Sequence, residues 1–210
     1  DFDYLTVAVQ APNVLVVPAS SPYKTMAELI AAEKANPGKL TFASAGTGTS
    51  DHLSAELFWL QSGTSGLHVP YKGAAPAITD LLGGQVDAAF QNINNVLPHI
   101  TAGKLRVLAI AAPKRSPLLP NVPTLTESGV KDADATSWQG VVAPKGLPPA
   151  VKAQIHAALM DALADPAVKQ KFAEVGFEMV ANTPEQFAAY QASEAARWKK
   201  LIETRKIAVD

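Results

Sequence analysis

The sequence predicts an α/β fold, a mostly parallel sheet flanked by helices, and three observations carry that expectation. Between residues 39 and 111, short β-rich runs alternate with helical segments and end on a strand. The Asn-Gly and Asp-Gly turns that mark tight antiparallel hairpins do not occur. Leu105–Ala111 is almost wholly apolar, as a strand covered on both faces has to be.

Leu5–Val9 and Val14–Val17 read as two short strands parted by Ala11-Pro12-Asn13. Thr25-Met26-Ala27-Glu28 is a capping box: the threonine hydroxyl takes a first-turn amide proton, and the glutamate reaches back to the threonine amide. The helix it starts runs to about Ala35 and stops at the turn cluster Asn36-Pro37-Gly38. Leu40–Ala43 is a strand, followed by a Gly-rich loop and a helix from about Ser50 to Leu60. Leu67–Val69 is strand-like, and Pro76 suits the first turn of a helix with Ile78, Leu81 and Leu82 on its apolar face. Gly83-Gly84 ends that helix. Val86–Phe90 is a strand, and Asn95 caps a short helix ending at Gly103. Pro113, Pro117, Pro120 and Pro123 then make residues 112–136 a connector or a domain crossing.

Trp138–Ala143 is a further strand, and Leu147-Pro148-Pro149 opens a helix with Val151, Ile155, Leu159, Ala162 and Leu163 on one face. Asp165-Pro166 caps a second helix that closes near Gly176, and Phe177–Val180 is a short strand. Thr183-Pro184-Glu185-Gln186 is another capping box, with Phe187, Tyr190, Trp198, Leu201 and Ile202 on the helix it begins.

Composition narrows the function. Hydrophobic residues make up 48% and charged residues 18%, enough for a core. The formal net charge of −1 argues against a general nucleic-acid or membrane-surface binder, which needs a basic field. With no cysteine, disulfides, thiolate metal sites and a cysteine nucleophile are excluded. No apolar run approaches the ~20 residues that span a bilayer. The N-terminus lacks the basic-then-apolar pattern of a signal peptide, and opens on Asp1-Phe2-Asp3-Tyr4 as a mature start or a cut would.

Ser44-Ala45-Gly46-Thr47-Gly48-Thr49-Ser50 is the most distinctive segment, between a predicted strand and a predicted helix. Its glycines let amides turn inward, and the helix start adds partial positive charge, which suits carboxylate, phosphate or sulfate. The plain alternative is an αβ loop with Ser50 as its cap. Asp51 stands where a dinucleotide fingerprint needs its third glycine, and neither a Walker loop nor a G-x-S-x-G elbow occurs. Ser50, Asp51 and His52 are adjacent at a helix start, so their side chains diverge and make no triad. His52 either faces a cleft or packs. His52, His68, His99 and His156 have no metal-ligand spacing, and His156 is expected to be exposed. Two more loops lie just past strands: Tyr71-Lys72-Gly73, with a ring, a hydroxyl and a full charge, and Gln91-Asn92. Ligands collect beyond the carboxyl ends of parallel strands, so the three loops can converge. Lys72 as a solvated surface lysine and Asn92 as a mere cap are the competing readings.

Taken in order, these segments resemble the extracytoplasmic solute receptors of tripartite tricarboxylate transporters, the Bug-type receptors. The carrying stretches begin with Ala11-Pro12-Asn13-Val14-Leu15-Val16-Val17 and Pro37-Gly38-Lys39-Leu40, then Ala43 through Ser50 with His52. They continue through His68-Val69-Pro70-Tyr71-Lys72-Gly73, Ile78 through Val86, Leu97-Pro98-His99-Ile100 and Gly103-Lys104-Leu105-Arg106. Lys114 through Pro120, Val122-Pro123-Thr124 and Thr183 through Phe187 complete them, so the match spans the chain.

The resemblance implies a type II periplasmic-binding-protein-like fold, two lobes around a cleft that closes on a small carboxylate. Di- and tricarboxylates, acidic amino acids and aromatic acids are the ligand classes. A periplasmic location, delivery to a membrane permease, no catalysis and no cofactor or metal follow. It places one complete lobe at residues 12–109 and part of the other at 1–11 and 110–210. It also implies a preceding half-lobe, with a Pro-Gly-Gly loop, that this sequence does not contain. The chain alone is therefore expected to bind ligand poorly and to self-associate. Carried over residue by residue, the site is Ser44, Ala45, Gly46, Thr47, Gly48, Thr49 and Ser50 as donors, flanked by Tyr71, Lys72 and Gly73, with Asn92 opposite. Gln91 stands where an aspartate is common, which is expected to alter the ligand end accepted; Trp138 either borders the cleft or sits in a core. An effector-sensing domain of a regulator, and a hydrolase using Ser50 or His52, are the other two readings.

Overall fold

The computed structural model describes residues 2–208; Asp1, Val209 and Asp210, at the outer limits of the expected lobes, lie outside the described residues. The chain divides into two compact units, one of Asp1–Ala11 with Ser137–Lys200 and the other of Pro12–Thr136 with Leu201–Asp210.

The larger unit carries a sheet of five strands in the order β3-β2-β4-β1-β5. These are β1 (Phe2–Pro18), β2 (Thr41–Ser44), β3 (Leu67–Pro70), β4 (Ala88–Asn92) and β5 (Leu105–Ala111). Strand β2 is parallel to β3 and β4, whereas β1 is antiparallel to both β4 and β5. Four strands thus share one direction, and the sheet is mixed rather than purely parallel because β1 inserts between β4 and β5. The two short strands expected at its ends are one 17-residue strand. Pro12 does not break it: pairing with β7 ends at Gln10 and pairing with β4 and β5 begins at Asn13, so the residue without an N–H stands at the changeover.

Helices α1 (Met26–Ala35), α2 (Ser50–Ser62), α3 (Ala74–Leu82) and α4 (Ile93–Thr101) follow the strands as expected. Both halves of the Thr25/Glu28 capping box form. Gly63 ends α2 in the left-handed region, where glycine meets no Cβ clash. Asn95 lies inside α4, and Asn92 holds the cap position instead. Phe42, Phe58, Trp59 and Phe90 pack against one another under the sheet, all 2% exposed or less. Burial of each such side chain stabilises the fold by about 1.5–3 kcal/mol. Trp59 Nε1 donates to buried Glu33 Oε1 at 2.8 Å, tying α2 to α1.

The larger unit runs on through the proline-rich connector to Thr136. The proline-rich connector stays on β5 because its backbone is bonded there: Leu125 N donates to Ile110 O and Ala135 N to Ala111 O, both at 2.9 Å. Leu125, Val130, Ala133 and Ala135 are buried on it.

In the smaller unit, β6 (Thr136–Pro144) and β7 (Glu178–Met179) pair with the first part of β1. Helices α5 (Pro149–Ala164), α6 (Pro166–Glu174) and most of α7 (Pro184–Arg205) complete it. Asp165 caps α6 through the Ala167 and Val168 amides. Trp138 packs edge-on against Phe187 and Tyr190, so it belongs to an aromatic cluster, in which Tyr4 also packs edge-on against Phe187. The apolar face expected on α5 is mostly uncovered: Leu163 is buried, but Val151 and Ile155 are exposed. His156 is half-buried, its Nε2 3.3 Å from Asn182 O, where exposure was expected.

Candidate functional site

Strands β2, β3 and β4 run the same way side by side, so the loops at their carboxyl ends are neighbours. Backbone bonds lock two of them together: Tyr71 N donates to Ser44 O at 3.0 Å and Gly73 N to Ala45 O at 2.9 Å. Asn92, at the end of β4, donates through Nδ2 to Asn13 Oδ1 at 2.6 Å and to Ser50 Oγ at 3.3 Å. The sequence-predicted residues at 44–50, 71–73 and 92 therefore converge within one unit.

The Gly-rich loop folds back on itself. Thr49 Oγ1 donates to Gly46 O at 2.7 Å, and Thr49 N reaches the same oxygen at 3.3 Å. Gly46 has φ +147° and Gly48 +78°, backbone that side chains other than glycine strain to adopt. Thr49, not Ser50, is the N-cap of α2, and with its hydroxyl turned back to Gly46 it makes no side-chain cap bond.

Several of the expected donors are spent inside the protein. Gly46 N donates to Ser44 Oγ at 3.2 Å, and Gly48 N to His52 Nδ1 at 3.1 Å. Ala45 N donates to Asp51 Oδ2 at 3.1 Å. Ser44 is 1% exposed, and its hydroxyl donates to Gly46 O and shares a 2.6 Å hydrogen bond with His68 Nε2. Ser44 and Ala45 thus shape the loop rather than present free donors. Among the described hydrogen bonds the Thr47 and Ser50 amides have no protein acceptor. Thr47 is exposed and Ser50 partly so. The Ser50 hydroxyl is itself spent on Asp51 Oδ1 at 3.2 Å, so the free donors here are backbone amides at an uncapped helix start. Such an arrangement stabilises an anion.

Other expectations shift. The Tyr71 hydroxyl donates to Asp80 Oδ2 at 2.7 Å, which raises its pKa, and with its amide already spent on Ser44 O the ring face is its remaining contribution. Lys72 is exposed. Asn92 does not spend its side chain on capping α4. Gln91 is fully buried and donates to Asp51 Oδ2 at 3.1 Å. It supports the loop from beneath and cannot select a ligand end directly. Burial raises the Asp51 pKa despite the Ala45, Ser50 and Gln91 bonds that favour its charge.

His52 packs, 4% exposed, with its ring stacked on that of His68 at 3.6 Å between centroids. It makes no contact with Ser50 that would suit nucleophilic catalysis, and no group of metal-ligating side chains occurs among the described residues. Asn13, Asp51 and His68 were not singled out as site residues by the sequence, and Gln91 was expected to act on the ligand end rather than beneath the loop. The i, i+4 spacing of His52 and Glu56 was the one local signal of the buried polar network around them.

A model of the family described as "Tripartite tricarboxylate transporter family receptor" matches residues 1–207. A Pseudomonas sp. (strain P51) protein from the tcbD-tcbE intergenic region is 39% identical over 203 residues, 96% of this chain and 60% of its own length. Protein BugT of Bordetella pertussis is 40% identical over 191 residues, 91% of this chain and 59% of its own. R. palustris Rpa4515 with adipate superimposes with TM-score 0.92 at 34% identity, over 99% of this chain and 70% of that one. MatC (Rpa3494) of Rhodopseudomonas palustris with bound malate gives 0.88 at 28% identity, over 96% and 69%. The chain thus spans about 60% of the length of these curated relatives.

Proposed function

The chain belongs to the tripartite tricarboxylate transporter receptor family, and on that footing we propose that its Gly-rich loop receives a carboxylate group of a small organic acid in the periplasm. The observation that carries the reading is the pair of amides, Thr47 and Ser50, left without protein acceptors at the uncapped start of α2. A carboxylate seated there takes two backbone protons and gains from the helix dipole, with no proton transfer. Ser50 Oγ, which donates to Asp51 Oδ1, and Asn92, whose Nδ2 donates to Asn13 and Ser50, line the loop beside those amides. Gly46, Gly48 and Thr49 hold the curvature, and Ser44 and Ala45 anchor it. Tyr71 and Gly73 flank the loop, and Lys72 contributes charge at longer range. Neutral donors bind a carboxylate reversibly near neutral pH, which suits capture and release to a membrane permease better than turnover. The adipate and malate held by two structural relatives are of the same ligand class.

Titration of the 210-residue chain with adipate and with malate, followed through backbone amide chemical shifts, tests this directly. The Thr47 and Ser50 resonances are expected to move first and to saturate. Weak binding suffices, since a Kd of about 1 mM already corresponds to about −4 kcal/mol. Shifts scattered elsewhere, with this loop unmoved by di-, tri- and aromatic carboxylates alike, would reject the reading.

A further inference from the structure

Beneath the Gly-rich loop lies a half-buried chain of polar groups, centred on buried His52, that the carboxylate reading does not use. Gly48 N–H donates to His52 Nδ1 at 3.1 Å. An imidazole nitrogen that accepts carries no proton, so in neutral His52 the proton sits on Nε2. That nitrogen lies 3.5 Å from Glu56 Oε1. Glu56 Oε2 in turn takes a bond from Arg205 Nε at 2.6 Å, so α7 anchors the carboxylate. Burial pushes the Glu56 pKa up, but the bonds from His52 and Arg205 and the Arg205 charge outweigh it and keep the group ionised. Against the face of the His52 ring, His68 stacks at 3.6 Å between centroids with its ring within 8° of parallel, and its Nε2 holds Ser44 Oγ at 2.6 Å.

We propose that His52 and His68 are positioning residues for the Gly-rich loop, with Glu56 and Arg205 fixing the His52 tautomer that the Gly48 amide requires. The inference rests on the loop being the carboxylate site. Gly48 has φ +78° and lies between the two free amides, Thr47 and Ser50. A loop so rich in glycine is entropically costly to hold in one shape, and a bond at its middle residue restrains both flanks. Ser44 is held at the loop's start by His68, and Gly48 at its centre by His52. The stacked rings tie those two points together. The charged groups facing the pair are Glu56 from α2 and Arg205 from α7; Asp51 is turned to Ala45 and Gln91. A proton added at Nδ1 would set two donors face to face and release Gly48.

The test uses the 210-residue chain labelled with nitrogen-15. Long-range spectra of the imidazoles near pH 7 read which nitrogen of His52 is protonated, and hydrogen exchange reads Gly48. The expected state has Nδ1 bare and Nε2 protonated. Arg205→Met is expected to raise the Nδ1–H fraction and to speed Gly48 exchange without touching the loop. His52→Asn places a carbonyl where Nδ1 sits and retains Gly48 protection. His52→Ala loses that protection and weakens adipate binding roughly ten-fold, the scale of an unmade buried hydrogen bond. A proton on Nδ1 in the unaltered protein overturns the proposal, and so does equal Gly48 protection in the Asn and Ala variants. Should His52→Ala fail to fold, the tautomer and the Arg205→Met and His52→Asn variants decide. Absence of adipate and malate binding in the unaltered protein counts against the receptor reading, while tautomer and exchange still decide the positioning role.

Discussion

Lys72 stands exposed one residue before the cap of α3, on the loop bonded to the carboxylate candidate. An exposed cation adds attraction screened by water and salt, so Lys72→Ala is expected to weaken adipate binding by roughly two- to five-fold. The salt dependence of binding should fall with it; affinity and salt slope both unchanged would return Lys72 to an ordinary surface role. His68 makes a different prediction. Burial, and then the neighbouring His52, hold its pKa down to about 4, against an opposing pull from Glu56. The unfolded imidazole titrates near 6.5, so as pH falls the unfolded chain takes the proton first. The stability this group contributes is full above about 6.5 and is lost as pH falls towards about 4, at no more than about 1.4 kcal/mol per pH unit. The half-exposed ring will show less than that limit because water screens it. Urea denaturation across that interval should show the slope in the native chain and a shallower one in His68→Gln; parallel profiles would refute it.

Helix α2 begins without a side-chain cap because Thr49 gives its hydroxyl to Gly46. A helix start left this way forgoes about 0.5–2 kcal/mol that a capping side chain supplies. Thr49→Asp should recover part of it, since a carboxylate accepts first-turn amides and opposes the dipole. The same charge occupies the anion position. Melting temperature is therefore expected to hold or rise while adipate affinity falls at least ~10-fold, the direction of a stability–function trade. Loss of both together would mean that the substitution had only damaged the loop, and unchanged affinity would move the site away from α2.

At the scale of the whole molecule, Val142 on β6 and Val151 and Ile155 on α5 are each 37–40% exposed, in a smaller unit whose helix α6 has no buried residue. Apolar residues left open on two elements favour association. Sedimentation of the 210-residue chain is expected to show concentration-dependent self-association, and Val151→Glu with Ile155→Lys to reduce it. A monodisperse monomer at every concentration, unchanged by those substitutions, would contradict this.

Residues within a turn of one another decide the local elements and the loop that carries the proposed function. Thr25/Glu28, Asp165-Pro166 and Thr183/Gln186 mark helix starts that form as written, because a cap is decided by residues within one turn. The glycines and hydroxyls of 44–50 announced a donor-rich loop for the same local reason. Tertiary structure alone decided which donors stay free. Asn92 is spent on Asn13, Ser44 is bonded to His68 and Asp51 to Gln91, through side chains that only the packing of strands and helices brings together. The insertion of β1 between β4 and β5, and the retention of residues 112–136 on β5, were equally hidden. Strand neighbours are set by long-range pairing, and no short window of sequence records which edges meet.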